Sequence, residues 1–237
     1  MTRIHLISGP RNISTALMYS FGNRGDCSIV DEPFYAYYLL KTGFKHPGRA
    51  EVLASMNSDA EIVKREVIFG EYPTPLLFIK DMAHHLEQLD YQFLLKNEPV
   101  FLIRDIAKVI NSTDKVYPSP SLQDIGIKAE WEIYDFLVKH GKSPLILDTD
   151  RLLDQPESQL KQACQHLGIP FKAGMLNWSP GPRQEDGVWA KYWYHSVHKS
   201  TGFKKQPTTK KDLPERLMPL YEEALPYYQN MLAQSLS

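Results

Sequence analysis

The chain has 237 residues and a formal net charge of −1, and its 43% hydrophobic and 23% charged residues are typical of a globular protein rather than a disordered one. A charge so close to zero gives no reason to expect nucleic acid or a membrane surface as a partner, so a basic site must be local. The two cysteines, Cys27 and Cys164, form no CxxC pair. This argues against a disulfide framework or a zinc site and for a reducing compartment.

Targeting and membrane segments are not expected. The N-terminus lacks the pattern of a signal peptide, and no apolar run approaches the length that crosses a bilayer. We therefore expect a cytoplasmic protein with no membrane partner. Because the chain has no internal repeat or linker, we expect a single domain over residues 1–237.

Short apolar runs alternate along the chain with segments of helical period. The predicted strands are Ile4–Ser8, Ser28–Asp31, Leu76–Lys80, Val100–Ile103 and Leu145–Asp148. The predicted helices between them are Ser14–Phe21, Tyr35–Leu40, Ala60–Phe69, Ile106–Asn111 and Ile127–His140. This alternation predicts an α/β fold, a single three-layer domain with a central parallel sheet flanked by helices. Ligands in such folds bind beyond the carboxyl ends of the strands.

The end of the chain has a different pattern. The helical period returns only in a C-terminal helix, placed within residues 211–237, after a stretch rich in aromatic and basic residues. Pro219 and Pro226 lie within this pattern and are expected to kink or interrupt the helix.

The first motif reads SGPRNIST over residues 8–15 and connects the first strand to the first helix. Backbone N–H groups at a helix start lack intrahelical partners, so this turn can cradle a phosphate or a sulfate. Arg11 and the hydroxyls of Ser14 and Thr15 add donors. The motif falls short of a Walker A sequence, which needs Gly and Lys at positions 13 and 14, and an ordinary capped turn has the same pattern.

The second motif follows the fourth predicted strand. Arg104 stands at the carboxyl end of that strand, and Ser112 lies two turns into the next helix. Together with the first motif, this Arg-x7-Ser pair resembles the sulfotransferase family, which uses 3′-phosphoadenosine 5′-phosphosulfate (PAPS). The segments at 147–152, 155–157 and 167–171 also resemble the later strand, helix and Leu-Gly-x-Pro-Phe turn of that family.

The resemblance implies a P-loop-like sulfotransferase topology, PAPS as the donor, PAP as the product and no metal. It places the 5′-phosphosulfate on the first motif and the 3′-phosphate on Arg104 and Ser112. The donor residues carried over from the first motif are Arg11, Asn12, Ile13, Ser14 and Thr15. Asn12 and Ile13 depart from the small residues usual in this loop, and an isoleucine resists the positive φ that glycine permits.

Two groups are candidates for the base that accepts the proton of the acceptor. Glu32 follows the second strand, where several sulfotransferases place a catalytic Glu, and Asp31 is expected to cap the next helix instead. His84, or its neighbour His85, follows Lys80 in a loose match to the Lys-x-His of cytosolic sulfotransferases. Lys80 itself is a candidate to stabilise charge that develops during transfer.

The aromatic and basic stretch at 172–210 is predicted to cover the cofactor, as a basic loop does in this family. Ser200, Thr201 and Lys204 are its candidate contacts. Trp189 and Trp193 stand at helical spacing and are predicted to pack in the core. The aromatic residues between positions 34 and 72 are expected to line or cover the acceptor pocket.

The leading hypothesis is a PAPS-dependent sulfotransferase acting on a hydroxyl or amine of a small molecule. A P-loop kinase using ATP and magnesium is an alternative, although the Gly-Lys-Ser/Thr end of its motif is missing. A non-catalytic nucleotide-binding module with this fold is the third hypothesis. The sequence leaves the acceptor and the oligomeric state open.

Overall fold

The structure is a computed structural model and describes residues 1–205 and 213–236. A single parallel sheet of five strands in the order β2-β3-β1-β4-β5 forms its centre. The strands are β1 Thr2–Ser8, β2 Cys27–Asp31, β3 Leu76–Met82, β4 Glu98–Ile103 and β5 Leu145–Asp148. The predicted α/β fold with a central parallel sheet is confirmed.

Twelve α-helices are present among the described residues. They are α1 Ser14–Gly22, α2 Tyr35–Thr42, α3 Arg49–Ser55, α4 Ala60–Ile62, α5 Ile106–Asp114, α6 Leu122–Ile125, α7 Ile127–Lys139, α8 Thr149–Asp154, α9 Pro156–His166, α10 Ala190–Trp193, α11 His195–His198 and α12 Met218–Leu232. Short 3₁₀ turns lie at Ala83–His85, Tyr91–Lys96, Ala173–Leu176 and Glu215–Leu217. No helix within 1–205 or 213–236 is long and apolar enough to cross a membrane.

The two faces of the sheet pack against different helices, because successive strand residues point to opposite sides. Ile4 and Leu6 pack on the face that α1 and α9 cover, and Ile7 packs on the face that α5, α7 and α12 cover. Each face thus has its own apolar core, and β1 contributes side chains to both.

Two helix predictions were wrong in part. The predicted helix Ala60–Phe69 begins as α4 and continues as a π-helix over Val63–Ile68. Pro219 and Pro226 do not interrupt α12: the first lies in the opening turn, where the missing N–H costs nothing, and the helix continues through the second. Residues 206–212 and 237, which belong to the predicted covering region and C-terminal helix, lie outside the described residues.

The topology gathers the motifs at one edge. Strand β1 lies between β3 and β4, so the carboxyl ends of β1 to β4 meet side by side. The 9–13 loop, Glu32, Lys80 and Arg104 therefore lie at the same edge of the sheet.

Candidate active site

A cavity of about 1050 Å³ opens at this edge. Eleven of the predicted site residues line it: Arg11, Ile13, Ser14, Thr15, Glu32, Lys80, His84, Arg104, Ser112, Ser200 and Lys204. Two do not. Asn12 is buried behind the 9–13 loop, and Thr201 is an exposed residue outside the lining.

The backbone of the 9–13 loop has an unusual conformation for its sequence. Arg11 and Ile13 both adopt left-handed angles, with φ of 66° and 59°. For residues with a β-carbon this conformation costs roughly 1–2 kcal/mol each. Ile13 therefore adopts the positive φ that isoleucine disfavours, at a cost in free energy. No side chain caps α1, which leaves its first N–H groups available to an anion.

Three hydrogen bonds hold the strained loop in place. The Asn12 side-chain amide donates to the carbonyl oxygen of Leu102 (2.8 Å), and the Thr149 hydroxyl donates to the carbonyl oxygen of Asn12 (3.0 Å). Arg104 donates from Nη1 to the carbonyl oxygen of Arg11 (2.9 Å). The side chain of Asn12 therefore supports the loop from behind instead of reaching the cavity.

The loop also rests on the turn between α6 and α7. A β-carbon at Gly9 would lie 2.6 Å from the carbonyl oxygen of Ile125, so only glycine fits there. The buried carboxyl of Glu130 accepts a hydrogen bond from the N–H of Gly9, and burial raises its pKa well above the usual range. Burial thus favours the neutral form of the carboxyl that lies behind the anion loop.

Cationic side chains gather on the β1 and β4 side of the cavity. Arg11 donates from Nε to the Ser112 hydroxyl oxygen over 2.8 Å, so the two sequence motifs meet in space. Lys108 and Lys204 line the same cavity as Arg104. This side can accept a ligand with several negative charges.

On the β2 and β3 side, Lys80 lies at the centre of a buried polar cluster. Its ammonium donates to Asp31 Oδ1 (3.0 Å), to the Tyr194 hydroxyl (2.8 Å) and to Glu32 Oε1. The Tyr194 hydroxyl donates to Asp31 Oδ2 over 2.7 Å. Asp31 therefore does not cap α2, contrary to the prediction; no side chain caps that helix.

The charges of this cluster decide which group can take up a proton. Burial raises the pKa of Glu32 to about 7, and the positive charge of Lys80 acts against that rise. Burial alone would lower the pKa of Lys80, but Asp31 and Glu32 outweigh it and raise that pKa. Lys80 thus stays charged, while Glu32 titrates near neutral pH.

The two histidines after β3 both line the cavity but have different neighbours. His84 lines the cavity and its buried Nδ1 finds no hydrogen-bond partner among the described residues. His85 lies with Nδ1 3.8 Å from Glu32 Oε2 and stacks on Tyr35. Burial lowers the pKa of His84 to about 4 and that of His85 well below its usual range. Both imidazoles are therefore neutral at pH 7 and weak proton acceptors.

The whole chain matches a known family. Residues 2–235 match the family model described as sulfotransferase domain. The chain belongs to the sulfotransferase family. This confirms the resemblance that was read from the Arg11 loop and from Arg104 with Ser112.

Two curated proteins of Arabidopsis thaliana are similar to this sulfotransferase-family chain. Branched-chain-amino-acid aminotransferase-like protein 1 is 42% identical over 226 residues, which cover 92% of this chain and 40% of that protein. The like-named protein 2 is 38% identical over 229 residues, covering 96% and 41%. The chain thus spans only about 40% of the length of these curated relatives.

Solved sulfotransferase structures share the fold. The sulfotransferase domain from the curacin biosynthetic pathway has a TM-score of 0.56 at 12% identity, covering 94% of this chain and 96% of that domain. The domain from the Synechococcus PCC 7002 olefin synthase has a TM-score of 0.53 at 17% identity, covering 94% of each chain. A sulfotransferase from Alicyclobacillus acidocaldarius has a TM-score of 0.55 at 8% identity, covering 98% and 95%. At these identities the likeness concerns the fold.

Several contacts in the site of this sulfotransferase-family chain could not be predicted from its sequence. Tyr194 comes 114 residues after Lys80, its partner, so spacing carries no signal of the contact. Trp189 is buried as predicted, and Trp193 is partly buried against the same cluster but also lines the cavity. Ser200, a predicted contact of the cofactor, already donates its hydroxyl to the carbonyl oxygen of Val197.

Proposed function

We propose that this chain is a sulfotransferase that uses PAPS and acts on a hydroxyl or amine of a small molecule. One observation carries the proposal: a single cavity joins an anion loop with a cationic wall to a buried carboxyl, Glu32, that titrates near pH 7. The family supports the same chemistry.

The residues on the cationic side fit a donor with two separate anionic groups. The uncapped start of α1, with Arg11, Ser14 and Thr15, would hold the 5′-phosphosulfate. Arg104 and Ser112 would hold the 3′-phosphate, since both line the cavity beside the loop. The Arg11–Ser112 hydrogen bond would keep these two subsites at a fixed distance.

PAPS would supply the sulfuryl group: its S–O bond to phosphate breaks as the bond from sulfur to the acceptor oxygen or nitrogen forms, and PAP leaves. Glu32 would accept the proton that the acceptor loses, because its pKa lies close to the working pH. Lys80 would hold the Glu32 carboxylate in place from within the cluster of Asp31 and Tyr194.

The first experiment is calorimetric titration with PAP, and separately with ATP and magnesium. We expect tight PAP binding that falls at least tenfold in Arg104→Ala, since a hydrogen-bonded charge contributes about 1.5–3 kcal/mol. Arg65→Ala is the matched control, because Arg65 is an exposed arginine paired only with its neighbour Glu66 among the described residues.

The outcomes separate the three hypotheses. Binding of ATP with magnesium but not of PAP would contradict the proposal and favour a kinase. PAP binding without transfer to any acceptor of a broad panel would favour a non-catalytic nucleotide-binding module. Unchanged PAP affinity in Arg104→Ala would place the 3′-phosphate elsewhere.

A further inference from the structure

Asp31 and Glu32 are consecutive acidic residues, and the ammonium of Lys80 binds both carboxylates. Their surroundings differ. Glu32 lines the cavity and Asp31 does not, and the Asp31 side chain is 1% exposed against 8% for that of Glu32. The backbone of Glu32 is left-handed, with a φ of 46°, a strain that is common at functional sites. Only Glu32 is therefore placed to reach a bound acceptor.

The hydroxyl of Tyr194 has a fixed orientation. A tyrosine hydroxyl donates one hydrogen bond and can accept two. Its oxygen accepts from Lys80 Nζ over 2.8 Å and from Trp189 Nε1 over 3.2 Å, and neither of these groups can accept in return. Burial and the two carboxylates raise the pKa of Tyr194, so the hydroxyl keeps its hydrogen. That hydrogen goes to Asp31 Oδ2 at 2.7 Å rather than to Glu32 Oε1 at 3.4 Å.

Both oxygens of Asp31 consequently face donors. Oδ1 accepts from Lys80 over 3.0 Å, and Oδ2 accepts from Tyr194. A proton on either oxygen would point at another hydrogen and find no acceptor, which is unfavourable for a buried group. Glu32 differs: Oε1 accepts from Lys80, while Oε2 accepts no hydrogen bond from any residue that the structure describes. A proton on Oε2 meets no opposing donor.

One positive charge serves these two carboxylates, so the cluster can take up one proton. The other titratable groups that face Glu32 or Tyr194 are Tyr35 of α2, Asp81 of β3, His85 of the turn after β3 and His198 of α11. Asp81 is paired with His5, and His198 with Asp186, both over 2.9 Å. Burial keeps His85 neutral. Because Lys80 binds both carboxylates, the bond from Tyr194 is what distinguishes Asp31 from Glu32.

We propose that Tyr194 is a positioning residue that determines which carboxylate takes up the proton of the acceptor. Its hydroxyl holds the negative charge on Asp31 and leaves the proton to Glu32. During transfer the O–H or N–H bond of the acceptor breaks and its proton goes to Glu32 Oε2, while Asp31 remains ionised. This inference rests on the proposed function, in which Glu32 is the base, and adds the residue that keeps Glu32 in that role.

NMR of protein with isotope-labelled Asp and Glu carboxyl carbons follows each carboxyl through a pH titration. The signals of Asp31 and Glu32 are identified by their loss in Asp31→Asn and Glu32→Gln. In the natural chain we expect the Glu32 signal to titrate near its pKa of about 7. The Asp31 signal should stay unchanged over the same range. Titration of Asp31 in place of Glu32 would overturn the inference.

Tyr194→Phe removes the hydroxyl and keeps the ring. At least about half of the change in chemical shift should then move from the Glu32 signal to the Asp31 signal, because the two carboxylates become alike. A Glu32 signal that still takes the whole change would overturn the inference and leave Tyr194 with a packing role alone. Tyr192→Phe is the matched control: its hydroxyl donates to the exposed carboxylate of Glu51 over 3.2 Å, so the titration should not change.

Asp31→Asn tests the charge on Asp31 without altering Tyr194. Removal of a negative charge beside Glu32 should lower the midpoint of the Glu32 titration by at least about one pH unit. An unchanged midpoint would mean that Asp31 carries no charge and would overturn the inference. None of these titrations involves PAP or an acceptor. Failure of PAP to bind, or a transfer rate that does not follow the ionisation of Glu32, would instead contradict the proposed function.

Discussion

Arg11 donates a hydrogen bond from its Nε to the Ser112 hydroxyl oxygen over 2.8 Å, although 101 residues separate the two. The contact links the loop after β1 to the helix after β4. It therefore joins the proposed 5′-phosphosulfate and 3′-phosphate subsites into one rigid unit, and a ligand that spans both meets a preorganised site.

This contact predicts coupling between Arg11→Ala and Ser112→Ala. Each variant should weaken PAP binding, by roughly 1.5–3 kcal/mol for the charged arginine and about 1 kcal/mol for the serine. In the double variant the losses should fail to add by at least about 0.5 kcal/mol, because each single change already breaks the shared hydrogen bond. The measurement is a calorimetric double-mutant cycle. Strictly additive losses would show that the two residues act separately once PAP is bound.

The raised pKa of Glu32 leads to a prediction for the pH dependence of transfer. Its pKa of about 7 means that the carboxyl is protonated below that pH and cannot accept a proton, so the rate should rise about tenfold per pH unit up to about 7 and then level off. Glu32→Gln should lower the rate by roughly 10²–10⁴-fold. PAP affinity should change little, since Glu32 faces the other part of the cavity.

Histidine variants provide the contrast for Glu32. His84→Asn and His85→Asn should keep the rise around pH 7, because burial leaves both imidazoles neutral throughout that range. If the rise survives in Glu32→Gln and disappears in either histidine variant, the base is a histidine.

Most of the fold could be predicted from the sequence. Near-continuous apolar runs such as Leu145–Asp148 mark strands buried on both faces, and such runs identified four of the five strands. The anion loop was accessible through Arg11, Ser14 and Thr15. Its backbone was not, because an αL conformation at Ile13 contradicts local preference and depends on hydrogen bonds from distant elements.

The acceptor side of the cavity was harder to predict from the sequence. Asp31 looks like a helix cap in sequence, and only the fold shows that its carboxylate binds Lys80 and Tyr194. The rings of His46 and Trp193 lie 4.9 Å apart, although these residues belong to two distant segments of the chain. Aromatic residues in either segment fit a core as well as they fit a pocket, so periodicity alone could not distinguish the two.

Gly9→Ala tests the support of the anion loop. The added β-carbon would lie 2.6 Å from the carbonyl oxygen of Ile125, which forces the loop to shift. We expect a loss of about 1–3 kcal/mol in the free energy of unfolding and a marked loss of PAP affinity. Gly141→Ala is the control: it has a φ of 80° and open space around it, so it should cost stability without affecting PAP binding. PAP affinity retained in Gly9→Ala would contradict the role of this loop.

The raised pKa of Glu130 leads us to expect a stability difference between the natural chain and Glu130→Gln that grows with pH. Burial raises its folded-state pKa well above the usual value of about 4.5. Below that value the carboxyl is protonated in both states and nothing is lost. At higher pH the unfolded chain gains by ionising, so the free energy of unfolding falls until the folded-state pKa is reached, by up to about 1.4 kcal/mol per pH unit.

Glu130→Gln cannot ionise and should escape this loss. Between pH 5 and pH 8, urea unfolding should shift in favour of Glu130→Gln, relative to the natural chain. Any constant cost of the amide cancels in this comparison of two pH values. Glu61→Gln, which changes an exposed carboxylate, should show no such shift. Parallel pH profiles for the natural chain and Glu130→Gln would mean that Glu130 is ionised behind the loop, where its charge would oppose an anionic donor.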